Sequence, residues 1–324
     1  DIAAQQFGID AHRDLLQHIG NLVREPAFTA YYSGQDYERE VKLVGRQSTP
    51  AHPVKLSVQL FPYGGGHKLM LSRDVTALAQ AEAMRRDFVA NVSHEIRTPL
   101  TVLAGFVETM QSLPLDAAER ERYLGLMAAQ AQRMQTLVND LLTLSRLEGS
   151  PPPGTSEPVD LRALMAQCEA EARALSDLLH QAQQLRFAAP PRFLLTGAAS
   201  ELRSAISNLV NNAVRYTPDG GRIDVGWERL PDGRARLRVS DSGPGIAPEH
   251  VPRLGERFYR VDRSRSRESG GTGLGLAITK HVAQRHGGEL QVSSQLGKGS
   301  TFMLVFPAQR VKALPAAGGE ASGP

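Results

Sequence analysis

The sequence predicts a multidomain α+β protein, on three observations. The chain has 324 residues, more than one core of ordinary size absorbs, so two or three domains are expected. Its apolar pattern changes period: alternation dominates up to about residue 75, helical spacing holds from 77 to 149, and both recur from 158 to 309. The last two regimes are separated by Gly149-Ser150-Pro151-Pro152-Pro153-Gly154, a semi-rigid linker composition. The expected division is a linker from an upstream segment over 1–9, a small α+β domain over 10–76 and a helical hairpin over 77–149. A linker over 150–157, an α/β domain over 158–309 and a disordered tail over 310–324 complete it.

In the first domain, Leu15 to Val23 has a short helical pattern, and the alternating runs 54–60 and 69–71 flank Pro62-Tyr63-Gly64-Gly65-Gly66, a hairpin connection. The hairpin domain breaks once, at Leu113-Pro114-Leu115-Asp116. Beyond that break Leu124, Met127, Ala131, Met134, Val138 and Leu141 are spaced three and four apart, the seam of a coiled-coil-like bundle. Two helices with one stripe each make a thin core, so a homodimer forming a four-helix bundle is expected.

Composition excludes several classes. Hydrophobic residues make up 41% and charged ones 22%, as in ordinary globular proteins, and the single Cys168 rules out an internal disulfide. A net charge of +3 without a long Lys/Arg run gives no reason to expect direct nucleic-acid binding. No run of 18 apolar residues spans a membrane. The chain begins at Asp1 rather than Met, so the expectation is a fragment whose membrane anchor lies upstream.

Chemistry enters at residues 88–100, FVANVSHEIRTPL. His94 is two positions from both Val92 and Ile96 of the apolar stripe, about 200° around a helix, so it faces water. Thr98 shares that face and Glu95 borders it. An exposed imidazole is a nitrogen nucleophile near neutral pH, and a neighbouring carboxylate takes its proton as it attacks phosphorus. Pro99 cannot donate to the Glu95 carbonyl, which predicts a loosened or kinked helix. One exposed histidine among nine would ordinarily be a solvated surface residue.

Four later segments carry the residue types of a nucleotide site. In 208–216, NLVNNAVRY, Asn208 and Asn212 lie i,i+4 on one helix face with oxygen ligands suited to Mg2+; Arg215 reaches toward phosphate and Tyr216 toward a base. In 241–246, DSGPGI, Asp241 ends a strand where a carboxylate accepts from an exocyclic amino group, and Gly243 and Gly245 admit close backbone approach. In 270–278, GGTGLGLAI, glycine-rich chain enters a helix and presents N–H groups to phosphates, without the Gly-Lys-Ser/Thr ending of a P-loop. The fourth, 297–301, GKGST, separates two strand-like runs and alone would read as a hairpin turn.

Residues 88–100 resemble the H-box of the sensor histidine kinases of two-component systems, and the four segments resemble that family's N, G1, G2 and G3 boxes, with Arg257-Phe258-Tyr259 at the F box. The resemblance implies His94 as phospho-acceptor, Glu95 as general base and Thr98 as the residue that orients water for dephosphorylation of the partner. It implies an α/β-sandwich ATP-binding domain of the gyrase, Hsp90 and histidine kinase type. Asn212, and with it Asn208, would face Mg-phosphate; Arg215, Tyr216, Asp241, Gly243, Gly245, Ile246, Phe258 and Thr301 would line the nucleotide. Gly271, Thr272, Gly273, Leu274, Gly275 and Leu276 would surround the phosphates, and residues 247–272 would form a lid. Arg215 stands where lysine is common in the family, which keeps charge but alters contact geometry.

The first domain resembles PAS sensor domains. The runs 202–210 (LRSAISNLV), 256–262 (ERFYRVD) and 72–76 (SRDVT) resemble the phosphate-regulon sensor kinases over nearly the whole chain. That likeness implies a phosphate-starvation role, a PhoB-like response regulator as partner, phosphate-transport regulatory components as further partners, and a place at the cytoplasmic face of a bacterial inner membrane. Two alternatives remain open at this level: an ATPase or serine kinase of the same nucleotide fold, and a non-catalytic dimeric scaffold.

Overall fold

The structure is a computed structural model that describes residues 2–10, 12–46, 48–49, 52–189, 192–261 and 271–314. The chain divides into two compact units, Asp1–Ser93 and His94–Pro324.

The first unit contains α1 (Ile2–Phe7), α2 (Ile19–Leu22), α3 (Pro26–Gly34) and the antiparallel sheet β1-β2-β3 (Val41–Val44, Lys55–Tyr63, His67–Asp74). The expected hairpin is present, Tyr63 pairing with His67 across the glycine turn. Alternation on β2 buries Leu56, Val58 and Leu60, which join Phe7, Val23, Phe28 and Leu43 in one core. Residues 1–9 are therefore not a linker where they are described: α1 ends on Phe7, an apolar side chain inside that core. The helical pattern at Leu15 to Val23 shrinks to α2, with Leu16 at a positive φ of 65° and almost fully exposed. Sequence patterning did not anticipate α3, although Pro26 at its first turn is a helix-start signal.

α4 (Thr76–Ser112) and α5 (Ala117–Gly149) form the expected hairpin. Asp116 opens α5 with a capping box: its carboxylate accepts from Glu119 N at 2.7 Å and Glu119 returns the contact to Asp116 N. α4 runs helical through Pro99, whose ring is buried. The intrachain face of α5 coincides with the predicted seam only in part, at the half-buried Met127, Met134 and Leu141. Leu137, Leu144 and Leu147 are buried, whereas Leu124 and Val138 of the seam remain exposed. A helix in a four-helix bundle meets two neighbours, so its apolar residues spread over two faces, one of which a single chain leaves open.

The rest of the second unit is an α/β sandwich. A five-stranded sheet has the order β5-β7-β8-β10-β9 (Gln184–Phe187, Arg222–Arg229, Ala235–Asp241, Gly299–Phe306, Glu289–Gln295), with β5–β7 parallel and the other pairs antiparallel. One helix layer covers it: α6 (Leu161–Leu178), α7 (Ala199–Tyr216) and α8 (Gly275–Arg285). α7 buries Leu202, Ile206, Leu209, Val210 and Val214, the larger of which contribute roughly 1.5–3 kcal/mol each. This anchorage is what lets the opposite, polar stripe of α7 serve a ligand.

A second small sheet, β11-β6-β4 (Val311–Ala313, Phe193–Thr196, Pro158–Val159), corrects the expected tail. Residues 311–313 form a strand on β6, and Arg310 is buried, donating to the carbonyls of Pro153, Gly154, Thr196 and His286. Residues 315–324 lie outside the described residues. The proline-rich linker is likewise bound: Arg285 donates to the carbonyls of Leu147, Ser150 and Pro151 and pairs with Glu201. Prolines cannot donate, so carbonyl acceptors dominate this segment and two guanidinium forks satisfy them.

His286 is fully buried, with Nδ1 2.8 Å from Val282 O and Nε2 accepting from Ala198 N at 3.2 Å. These contacts fit the neutral ring with the proton on Nδ1, and burial pushes its pKa below the ordinary 6.5. Below that pH the unfolded chain binds a proton that the folded one refuses, so stability falls as pH falls. Denaturant midpoints measured from pH 7.5 to 5 should decline, and His286→Gln should flatten that slope. Equal slopes in the two proteins would refute the assignment.

Candidate nucleotide site and phospho-acceptor helix

The four segments separated in sequence converge through backbone contacts. Gly243 packs on the end of α7, where a Cβ would stand 2.8 Å from Tyr216 O. The loop from Gly243 to Ile246 is fastened to the β9–β10 turn: Gly297 N donates to Pro244 O at 2.7 Å, and Ile246 N donates to Ser294 Oγ at 2.8 Å. Gly245 has φ 70°, and a Cβ there would stand 2.0 Å from Gln295 O, so no larger residue fits. The start of α8 is tied to α7 by Asn208 Nδ2, which donates to Gly275 O at 3.2 Å. Phe258 N donates to Gly273 O at 2.9 Å; Gly273 has φ 74°, and a Cβ would meet Phe258 Cα at 2.9 Å. Residues 262–270, the middle of the expected lid and the Asp262 and Gly270 of the quoted motifs, lie outside the described residues.

Asp241 ends β8, where its Oδ1 accepts from Gly243 N at 2.9 Å and Ser300 N at 3.3 Å. Burial pushes this carboxyl above the ordinary range, while the two N–H donors act against that shift. A cavity of about 420 Å3 opens there, lined by Asp241, Ser294, Lys298 and Ser300 among others. Asn208 and Asn212 are half-buried on α7 beside Arg215, whose pKa is lowered by burial, and Tyr216 is exposed.

Thr301 lines that cavity too, and its hydroxyl pairs with Ser240 Oγ at 2.7 Å. Its neighbour Ser300, on the opposite side of the strand, also lines the cavity and was not anticipated. Leu274 is fully buried ahead of α8 and serves the core, while Leu276 stays half-buried. Thr272 is buried and donates to Asp140 of α5 at 2.6 Å. Asp140 was not anticipated; its signal is an acidic residue on the partly buried side of α5, and burial raises its pKa while Thr272 opposes the rise.

On α4, His94 is exposed, as its phase relative to Val92 and Ile96 predicts. Glu95 accepts from Arg133 Nη2 at 3.3 Å, and Arg260 Nη1 approaches it at 4.0 Å. Thr98 Oγ1 donates to the His94 carbonyl at 3.1 Å, so its proton is held by the backbone while its lone pairs remain open to water. Among the described residues no group of three or more His, Cys, Asp or Glu could hold a metal, and no helix is long and apolar enough to cross a membrane.

Known proteins match this arrangement. The family model for the His Kinase A (phospho-acceptor) domain matches residues 84–150, and that for the Histidine kinase-, DNA gyrase B-, and HSP90-like ATPase matches residues 197–310. The chain is 47% identical over 316 residues to the Phosphate regulon sensor protein PhoR of Pseudomonas aeruginosa, covering 97% of this chain and 70% of that protein. It is 31% identical over 306 residues to the protein of the same name from Haemophilus influenzae, covering 94% and 70%. A solved structure of histidine kinase ThkA in complex with response regulator protein TrrA is similar with a TM-score of 0.53 over 94% of this chain and 90% of that one. At 19% identity that likeness is one of fold alone.

Gly245 gives a direct check on the convergence. Gly245→Val should leave the protein folded by circular dichroism yet weaken ATP binding more than about tenfold, since positive φ and a blocked approach cost about 1–3 kcal/mol. Binding at the parent affinity, measured calorimetrically, would separate this loop from the nucleotide.

Proposed function

The chain belongs to the PhoR-like sensor histidine kinases, and on that premise we propose that it phosphorylates His94 from Mg-ATP and passes the phosphoryl group to an aspartate of a PhoB-like response regulator. The observation that carries the site assignment is the mutual fastening of the four segments, Asn208 to Gly275, Tyr216 against Gly243 and Pro244 to Gly297, with a cavity at Asp241. The enzyme class is protein-histidine kinase, with ATP bound by the α/β unit.

A His94 ring nitrogen attacks the γ-phosphorus, the N–P bond forms as the bond to the ADP oxygen breaks, and the ring proton passes to Glu95. Glu95 must first leave Arg133 or share its second oxygen. Asp241 accepts from the adenine amino group through the oxygen not already bonded to Gly243 and Ser300. Asn amide oxygens are hard donors, so Asn212, assisted by Asn208, suits Mg2+, which would draw its other ligands from phosphate and water and neutralise charge on the transferring group.

Exposed Leu124, Val138 and Leu142 on α5, with Leu100 and Val107 on α4, support a homodimeric bundle. Residues 10–76 serve as a PAS-like sensor module, and phosphate-transport components and an upstream membrane anchor complete a phosphate-starvation pathway at the inner membrane.

Incubation with radiolabelled ATP should give an acid-labile label on the parent chain and none on His94→Gln; acid-stable label would indicate a serine kinase, and absence of label a scaffold. Thr98→Ala should keep autophosphorylation within about twofold while slowing dephosphorylation of the phosphorylated regulator by about 10²-fold or more, the usual worth of a positioned polar group. Equal loss of both activities would remove Thr98 from the water-orienting role.

A further inference from the structure

Ser294, on β9, lines the cavity and accepts from Ile246 N, and three parts of the site meet at its hydroxyl. Its Oγ lies 2.8 Å from Ile246 N, 3.1 Å from Gly299 O and 2.9 Å from Ser300 Oγ. A hydroxyl has one proton to donate and two lone pairs to accept with. The three contacts use all of them: Ile246 N–H and Ser300 O–H donate to Ser294, which donates to the Gly299 carbonyl. Ser300, its proton committed, then offers only lone pairs to the cavity. Beside it Asp241 Oδ1 is engaged by the amides of Gly243 and Ser300, so its second oxygen is the free acceptor. Asp241, Ser294 and Ser300 line the same cavity. That corner therefore presents acceptor beside acceptor.

A base edge bearing an exocyclic amino group brings two N–H donors to such a corner. A carbonyl at the same ring position brings lone pairs against lone pairs and leaves buried acceptors unpaired. We propose that Ser294 is a positioning residue of the nucleotide site: it holds the Gly243–Ile246 loop in place and, by fixing the direction of the Ser300 hydroxyl, sets the preference for a 6-aminopurine over a 6-oxopurine nucleotide. The inference rests on the ATP-binding reading given above.

The test uses the full chain, calorimetric binding of ATP and of GTP, and steady-state autophosphorylation. Ser294→Ala should weaken ATP about tenfold, the effect of one unpaired buried donor, with the loss in KM and kcat within about twofold. The ratio of ATP to GTP affinity should narrow by about the same factor. Ser294→Thr keeps the hydroxyl and should restore both. Parent-like affinity and ratio in Ser294→Ala, or a Ser294→Thr protein that behaves like the Ala variant, overturns the proposal. If Ser294→Ala does not fold, Ser300→Ala decides: a narrowed ATP-to-GTP ratio supports the relay and an unchanged ratio overturns it. A parent chain that binds neither nucleotide overturns the ATP-binding reading itself, whereas a parent that binds ATP beside an indistinguishable Ser294→Ala overturns only the role of Ser294.

Discussion

Asp241 places a carboxylate at a strand end where burial strips away much of its water, and the surrounding backbone is arranged around that constraint. One oxygen is satisfied by the amides of Gly243 and Ser300, which belong to different segments. To bring both amides to the same oxygen, the loop after β8 must fold back over the sheet end, and the β9–β10 turn must rise to meet it. Gly245 and Gly297 make that meeting possible, one by yielding space to Gln295 and the other by donating to Pro244. The geometry that solves the charge also leaves the second oxygen as a directed acceptor.

The helix layer is built under a different constraint. α7 is fixed by its apolar side, so its polar side can carry groups that do little for stability. Asn208 uses its amide nitrogen for the fold, donating to Gly275 O and thereby aligning α8, while the ligand role is the one proposed for its oxygen. The glycine-rich entry to α8 is thus positioned by the same residue that its chemistry requires as a neighbour.

The sequence revealed most of this wherever one residue's type had one physical use. The phase of His94 against Val92 and Ile96 gave its exposure, the break at Leu113-Pro114-Leu115-Asp116 gave the turn between α4 and α5, and alternation gave β2 its buried face. It was mute where a residue's role depends on a distant partner. Arg285 and Arg310 are unremarkable as residue types, yet each binds the linker through carbonyls more than a hundred positions away. Ser300 was missed because adjacent hydroxyl residues on a strand face opposite sides, and only pairing with β8 and β9 shows what each meets. Phe7 was assigned to a linker because a six-residue helix is too short for its period to stand out.

The contacts around the transferring groups are those of an arrangement at rest. Thr272 has a single hydroxyl proton, and Asp140 holds it at 2.6 Å. A phosphate oxygen at the same hydroxyl would compete with Asp140 for that proton, two anions with one donor. Glu95 stands in a similar position, since the carboxylate proposed to accept the histidine proton is occupied by Arg133 and approached by Arg260 from the segment that follows the F box. The Thr272–Asp140 bond joins the α/β fold to α5, and the Glu95–Arg133 bond lies within the hairpin. On the roles proposed for Thr272 and Glu95, holding the α/β fold against α5 and freeing these two groups for chemistry are opposed requirements.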